Sequence, residues 1–309
     1  MPHRYDRPVI ATADYELATT ATALVDRSDR GKLLLRGADA AEFLQGQVSN
    51  DVEALEPGQG CYAALLDHKG KFRADMRILR GGGWLLLDTE AIGLVPARWT
   101  VERYSVGRDV AMEDVTEARA LLSLVGPGAR AALDAAPVAA EHAFVEGEHG
   151  LYVATDLGVD VITADADAAR EALGVPEVPL DVAECLRIES GRPRLGFDMD
   201  AETMPQEAGI HLRAVSFEKG CYVGQETVAR LFWKGRPNRH LRGLRLQDPV
   251  ERREEVRLGD RVVGKVGSAC VSPRLGAIGL AVLRREAEPG QTVEIGDSAI
   301  AATVVELPF

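Results

Sequence analysis

The side chain with the most reactive chemistry in an unusual local setting is the thiol of Cys221. It lies within the octapeptide Lys219-Gly220-Cys221-Tyr222-Val223-Gly224-Gln225-Glu226. The two glycines allow turns with positive φ and close approach of the backbone, and residues 227–232 have helical spacing. A cysteine just before a helix and beside a lysine lies in a positive potential, which favours the thiolate that reacts or binds metal. The alternative is an inert, small apolar residue in a turn, as most free cysteines are.

The first 115 residues, which precede this motif, mix strand and helix signals. Residues 31–37 predict a strand, and residues 38–48 predict a helix with Asp39 as its N-cap. A hairpin is predicted next, followed by another strand. Strands and helices in this order indicate an α+β region. The hairpin strands cover 61–66 and 72–79 with a turn at 67–71, and the further strand covers 84–87.

A second mixed segment runs from about residue 118 to residue 228. Residues 121–125 predict a strand that a Gly-Pro-Gly turn joins to a helix at 129–133. Asp181 and Glu184 resemble a capping box at the start of a helix that continues through Ile188 and ends at Gly191.

The C-terminal segment from residue 238 has a different pattern. Several short apolar runs are separated by Gly-Asp and Pro-Gly pairs, with almost no helical periodicity. Many short strands of this kind predict a small β-barrel. The runs cover 241–246, 256–258, 261–266, 278–283, 292–295 and 300–305.

Composition places the chain among ordinary globular proteins. It has 309 residues, of which 46% are hydrophobic and 27% charged, with a formal net charge of −12. This excludes a disordered or fibrous chain, and the acidic balance argues against a general binder of nucleic acids or anionic membranes. No apolar run has the roughly 18 residues of a membrane helix, and the four cysteines lack zinc-ligand spacing. We expect a soluble, cytoplasmic protein with reduced thiols and no metal site.

A basic stretch interrupts this acidic background. Between residues 230 and 245 lie six lysines and arginines, together with Phe232 and Trp233, and no acidic residue. Such a cluster attracts anions. RNA is a weak candidate for such an anion, because only one pair of aromatic residues is interleaved with the cations. The stretch could equally be a linker whose cations pair with the acidic segment 131–169.

The octapeptide resembles the signature of the YgfZ family, folate-binding proteins related to the glycine-cleavage T-protein (aminomethyltransferase). Further similar segments follow in order over most of the chain. The resemblance implies a role in the maturation of iron–sulfur proteins, linked to tRNA modification, and a fold of pseudo-symmetric α+β lobes around a folate cavity with a C-terminal barrel. The supporting segments lie at 43–52, 124–130, 186–191 and 205–209.

The resemblance also implies a folate site, and it suggests that the basic stretch at 230–245 contacts the glutamate tail of the folate or an acidic partner. Gly158-Val159-Asp160 is similar to an element whose carboxylate contacts the pterin ring, where a carboxylate suits adjacent N–H donors. Arg187 matches an arginine of the family that faces the same cavity. The alternatives are solvation at a strand edge for Asp160, and a salt bridge with Glu184 or Glu189 for Arg187.

One further aspartate matches the relatives that transfer a one-carbon unit. Asp75 corresponds to the second of two adjacent aspartates near the reactive nitrogens of the folate, and Ala74 replaces the first. A single carboxylate in a cavity can relay a proton or stabilise a cation. The loss of the first acid argues against transferase activity.

These observations predict an α+β protein with lobes at 1–117 and 118–237 and a barrel at 238–309. The preferred function is a non-catalytic or weakly catalytic folate-binding accessory protein in iron–sulfur protein maturation, with Cys221 as its functional thiol. Its partners would be tetrahydrofolate or a derivative and iron–sulfur proteins or their assembly factors, and any bound cluster would need ligands from outside the chain. The alternatives are a tetrahydrofolate-dependent aminomethyltransferase or methyltransferase, and a folate-binding module with another role.

Overall fold

Two five-stranded antiparallel sheets and a closed six-stranded barrel form the framework of the protein, which a computed structural model describes for residues 10–309. The strands are β1 Ala23–Asp26, β2 Gly31–Arg36, β3 Gln59–Leu66, β4 Phe72–Arg80, β5 Trp84–Thr89, β6 Ala111–Asp114, β7 Ala120–Val125, β8 Phe144–Gly147, β9 Gly150–Ala154, β10 Gly158–Thr163, β11 Arg239–Leu246, β12 Glu255–Leu258, β13 Arg261–Ser272, β14 Gly276–Arg284, β15 Thr292–Ile295 and β16 Ile300–Val305. The α-helices are α1 Thr12–Thr20, α2 Ala40–Gln45, α3 Ala91–Tyr104, α4 Ala166–Leu173, α5 Leu180–Glu189, α6 His211–Ala214 and α7 Gln225–Lys234.

The first sheet has the strand order β3-β4-β5-β2-β6, and the second has the order β1-β7-β10-β9-β8. Helices α2 and α3 cover one face of the first sheet and share its apolar core. Leu79 and Leu86 of the first sheet pack against Leu121, Phe144 and Ile162 of the second sheet. Burial of these apolar surfaces holds the two sheets together.

The barrel closes in the order β11-β14-β13-β12-β15-β16. Its interior is filled by alternate residues of each strand, mostly valine, leucine and isoleucine. Ile188 of α5 packs against Ile278 and Leu280 on the outside of the barrel. All six predicted strands are present, and the predicted α+β fold with a C-terminal β-barrel is confirmed.

The two predicted helix starts differ from the structure in different ways. Asp39 is the N-cap residue of α2 as predicted, but its carboxylate accepts a hydrogen bond from the backbone N–H of Asp109 instead of from the helix, which covers a shorter range than predicted. Helix α5 begins at Leu180 after Pro179, so Asp181 lies inside its first turn, and Glu184 pairs with Arg187. Gly191, with φ +71°, follows the end of α5 as predicted.

Two further details concern the helices. The segment predicted as a helix at 129–133 is a short 3-10 turn, Ala129–Ala132. The predicted helix at 227–232 is present as α7, which begins two residues earlier. Among the helices of residues 10–309, none combines the length and the apolar character that a membrane crossing requires.

Candidate functional site

A cavity between the two sheets and helix α5 brings together the three residues that the resemblance assigned to folate. Asp75 reaches it from β4, Asp160 from β10 and Arg187 from α5. Seven arginines and seven carboxylates are among the side chains that line it. Charges at this density are stable in a protein interior only when they are paired. The pairing therefore decides which groups are available to a ligand.

Strand alternation in β4 separates the cavity from the core. Asp75 and Arg77 point into the cavity, whereas Ala74 and Met76 lie on the opposite face among the apolar residues under α2 and α3. Ala74 is fully buried and packs close to Gly93 of α3. An acid at position 74 would therefore point away from the cavity. The replacement of that acid by Ala74 removes nothing from the site.

Asp75 has one engaged carboxylate oxygen and one free one. The hydroxyl of Tyr62 donates to Oδ2 of Asp75 over 2.5 Å. Oδ1 is buried and has no hydrogen-bond partner among residues 10–309. Burial, reinforced by the charge of Glu90, raises the pKa of Asp75 to about 6. This carboxyl group can therefore gain or lose a proton near neutral pH, which suits general acid–base chemistry.

Asp160 is buried in the middle of the second sheet, so the alternative of a solvated strand edge is wrong. Oδ1 of Asp160 accepts a hydrogen bond from the Ser123 hydroxyl at 2.6 Å. Oδ2 accepts one from Nη1 of Arg77 at 2.7 Å, and Arg77 also pairs with Asp88. Both oxygens thus have partners within the protein. A bidentate contact with a pterin would require Ser123 and Arg77 to move.

Arg187 joins α5 to the segment that follows it and to the barrel. Its guanidinium pairs with Glu184 and with the fully buried Asp198, both at 3.0 Å, and donates to the Ser268 hydroxyl at 2.7 Å. The predicted salt bridge with Glu184 is present. The one with Glu189 is wrong, because the Glu189 carboxylate accepts hydrogen bonds from Tyr15, Ser272 and Arg274 instead.

Sequence reasoning missed several cavity residues. Tyr62, Arg77, His142 and Arg213 all line the cavity. Among residues 10–309, buried atoms without a hydrogen-bond partner include Nε of Arg77, Nδ1 of His142 and Nε of Arg213, in addition to Oδ1 of Asp75. Arg77 could have been found from its position two residues after Asp75 on one strand face. No sequence signal points to His142.

The Cys221 motif lies elsewhere, against the turn between β3 and β4. Cys221 is exposed, and Tyr222 beside it is buried. Gly224 has φ +86°, and a Cβ there would lie 2.5 Å from the carbonyl oxygen of Asp67. Gly220, in contrast, has open space among the described residues. The motif is therefore a fixed turn that presents one thiol to solvent, ahead of Gln225 and Glu226 at the start of α7.

Lys219 is engaged with backbone carbonyls, and its predicted effect on the Cys221 thiol stays a prediction. The Lys219 ammonium donates to the backbone carbonyls of Gln45, Val48 and Asn50 at 2.5 to 3.0 Å, and burial lowers its pKa to about 8. Lys219 thus fastens the motif to the segment after α2. The hydrogen bonds of its ammonium group go to three backbone carbonyls of residues 45–50.

The basic stretch is partly a set of local ion pairs. Arg239 pairs with Glu207, and Arg242 pairs with Glu306. The predicted pairing with the acidic segment 131–169 is therefore wrong for these two arginines. Phe232 stacks on Phe217 with ring centroids 3.9 Å apart, while 69% of the surface of Trp233 is exposed.

With this geometry established, comparison with known proteins defines the class. Residues 1–150 match the family described as the GCVT N-terminal domain, and residues 239–309 match the glycine cleavage T-protein C-terminal barrel domain. An aminomethyltransferase of Rubrobacter xylanophilus is 31% identical, covering 96% of this chain and 85% of the relative. One of Bacillus subtilis is 28% identical, covering 96% and 90%. The chain belongs to the glycine-cleavage T-protein family.

Two further similarities bear on the fold and on the choice within the family. A "tRNA-modifying protein YgfZ" of Yersinia enterocolitica is 30% identical, covering 76% of this chain and 73% of the relative. The crystal structure of a glycine cleavage system aminomethyltransferase T from Bartonella henselae superimposes with a TM-score of 0.86. It covers 97% of this chain and 91% of its own, at 23% identity, and so supports the fold.

Proposed function

We propose that this protein binds a reduced folate in the central cavity and catalyses a tetrahydrofolate-dependent one-carbon transfer of the aminomethyl type. The observation that carries the proposal is Asp75, a buried carboxyl at the cavity with a pKa of about 6 and one oxygen that lacks a hydrogen-bond partner among residues 10–309. The names of the relatives that match nearly the whole chain point the same way. The sequence argued against transfer because Ala74 replaces an acid of the relatives. Since Ala74 lies in the apolar core and not in the cavity, this argument no longer applies.

The cavity residues fit a polar heterocyclic ligand. Asp75 and His142 offer acceptor atoms that have no partners among residues 10–309. Arg77 and Arg213 offer donor atoms that likewise have no partners among these residues. Buried polar atoms are costly unless they are hydrogen-bonded, so a ligand with both donors and acceptors would be favoured. Asp160 would hold such a ligand indirectly, through Arg77, because both of its oxygens are engaged.

Tetrahydrofolate, when bound, supplies the nitrogen atoms that accept the one-carbon unit. The protein's own part is to supply Oδ1 of Asp75, which is either an ionised oxygen that offsets positive charge or the atom that takes up a proton. Tyr62 fixes the orientation of this carboxyl by donating to the other oxygen. A carboxyl with a pKa of about 6 is mostly ionised at neutral pH, so it can take up a proton or stabilise positive charge in the cavity.

The first test combines binding with turnover. Tetrahydrofolate should raise the melting temperature of the purified protein, since a ligand that binds the native state stabilises it. With an aminomethyl donor, Asp75→Asn should reduce turnover about 100-fold or more while folate still binds. Asp260→Asn, in an exposed barrel turn, is the matched control and should change neither. Equal turnover in Asp75→Asn and in the unsubstituted protein would contradict the catalytic assignment.

A second candidate function is the accessory role in iron–sulfur protein maturation, with the cytoplasm as its compartment. The exposed thiol of Cys221 in a rigid turn outside the cavity favours it, because transfer to tetrahydrofolate needs no thiol. In a deletion strain, iron–sulfur enzyme activities should then be restored by the unsubstituted gene but not by Cys221→Ala. Cys270→Ala is the matched control. Folate binding without turnover, combined with this result, would favour the accessory role over the transferase.

A further inference from the structure

His142 is held in an unusual backbone conformation at the edge of the central cavity. It lies two residues before β8 and has φ +69°, a left-handed conformation that few residues other than glycine adopt. Its N–H donates to the carbonyl oxygen of Ala154 over 2.9 Å. A Cβ on Gly60 of the neighbouring sheet would lie 2.8 Å from the His142 carbonyl oxygen, so glycine at position 60 makes room for it. Contacts from both sheets therefore fix this conformation.

The imidazole has one nitrogen near a carboxylate and one without a partner. Nε2 lies 3.6 Å from Oε1 of Glu141, which favours the tautomer with its proton on Nε2. Nδ1 is then a lone-pair acceptor, and it is buried without a hydrogen-bond partner among residues 10–309. Only 13% of the side-chain surface is exposed.

The surroundings keep this imidazole neutral. Burial, together with the positive charges of Arg77, Arg213 and Arg192, lowers the pKa of His142 to about 4, against the opposing effect of Glu141. These are the charged groups that face it from β4, from α6, from the segment after α5 and from its own segment. A neutral imidazole in the field of three guanidinium groups presents an acceptor where those groups present donors.

We infer that His142 is a ligand-binding residue of the cavity, whose Nδ1 accepts a hydrogen bond from an N–H or amino group of the bound heterocycle. The inference rests on the proposed folate function and names a contact within that site. The carboxylate that the resemblance assigned to the pterin donors, Asp160, is occupied by Ser123 and Arg77. His142 supplies an acceptor, Nδ1, that has no hydrogen-bond partner in the part of the chain that the structure describes.

Calorimetric titration with tetrahydrofolate tests this with two variants. His142→Gly removes the acceptor and tolerates the positive φ, and it should weaken binding about tenfold or more, because it leaves a buried ligand donor unpaired. His142→Asn also tolerates the conformation and places an amide oxygen near the position of Nδ1. It should bind within about threefold of the unsubstituted protein. His68→Gly, in the exposed β3–β4 turn, is the matched control and should leave affinity unchanged.

The outcomes separate this inference from the proposed function. If the unsubstituted protein does not bind tetrahydrofolate, the folate proposal itself fails. If it binds and His142→Gly binds equally well, the assignment of His142 is overturned while folate binding stands. If His142→Asn binds as weakly as His142→Gly, the side chain acts through packing and the acceptor role is likewise overturned. Thermal unfolding of each variant verifies that the protein remains folded.

Discussion

At the scale of single residues, Asp75 couples function to stability. Its pKa of about 6 in the folded protein lies above the ordinary value of 3.8, because burial disfavours the charged form. A carboxyl group with a raised pKa stabilises the fold while it is protonated, and this contribution is lost as pH rises through about 4 to 6. The group that serves the site thus lowers stability at neutral pH.

The first residue-scale prediction follows from this loss of stability with rising pH. Between pH 4 and pH 7 the unsubstituted protein should lose up to about 3 kcal/mol of unfolding free energy relative to Asp75→Asn, from a shift of roughly two pKa units. Urea unfolding at the two pH values measures the difference. Because Asn cannot ionise, it removes this titration while other groups titrate in both proteins. If the difference in unfolding free energy between the two proteins is constant across this range, the pKa of Asp75 is not raised in the folded protein.

The second residue-scale prediction concerns the four thiols. Cys221 is exposed, Cys185 is buried, and Cys61 and Cys270 are half-buried. Burial also raises the pKa of the Cys61 thiol to about 12, which suppresses its reactive thiolate. Limited alkylation at neutral pH should therefore label Cys221 first, as mass spectrometry of the partly labelled protein would show. Preferential labelling of another cysteine would show that the Cys221 thiol is protected in the folded protein, as expected of a packing residue.

At the scale of elements, two glycines in one motif have different environments. Gly224 adopts a positive φ directly against the β3–β4 turn, and Gly70 of that turn has φ +78° and packs against Val228 of α7. This close backbone contact fixes the position of α7 relative to the first sheet. Gly220, four residues earlier in the same motif, has no atom of the described residues within 4 Å of an added Cβ.

The element-scale prediction compares these two positions. Gly224→Ala should destabilise the protein by about 1 to 3 kcal/mol, because the new Cβ meets the Asp67 carbonyl and the backbone conformation is strained. Gly220→Ala should change the unfolding free energy by less than about 0.5 kcal/mol. Denaturant unfolding of both variants measures the contrast. Equal effects would mean that the turn does not depend on close contact at Gly224.

The sequence predicts elements well where a short-range pattern determines them. The barrel strands follow from apolar alternation between glycine and proline turns, and Gly191 marks the end of α5. Capping bonds are harder to predict, because the carboxylate of Asp39 bonds to a residue 70 positions away instead of to the N–H groups of its own helix. The pairing of Arg77 with Asp160 spans 83 positions and depends on how the two sheets pack. No local pattern could therefore have shown that Asp160 is already occupied.

At the scale of the whole molecule, the connections between lobes cross the predicted divisions. Strand β1 belongs to the second sheet, although it lies in the predicted first lobe at 1–117. Residues of the segment 195–228 pack on Leu66 and Phe72 of the first sheet, although they lie in the predicted second lobe. The division at 117 and 237 stays a prediction. The cavity is built from both halves, so its geometry depends on all of these contacts.

Arg187 is the residue that ties this assembly together, and it carries the last prediction. It connects α5, which lines the cavity, to the fully buried carboxylate of Asp198 and to Ser268 of the barrel. Arg187→Ala should destabilise the protein by about 3 to 5 kcal/mol, because removing one partner leaves a buried charge uncompensated. Arg257→Ala, which breaks an exposed pair with Glu255, is the matched control and should cost less than about 1 kcal/mol.

Arg187→Ala combined with Asp198→Asn should recover part of the loss, since the uncompensated charge is then gone. Urea unfolding of the single and double variants, together with titration with tetrahydrofolate, shows whether Arg187 anchors the barrel or contacts the ligand. A small loss of stability combined with a large loss of tetrahydrofolate affinity would show that Arg187 contacts the ligand instead of anchoring the barrel.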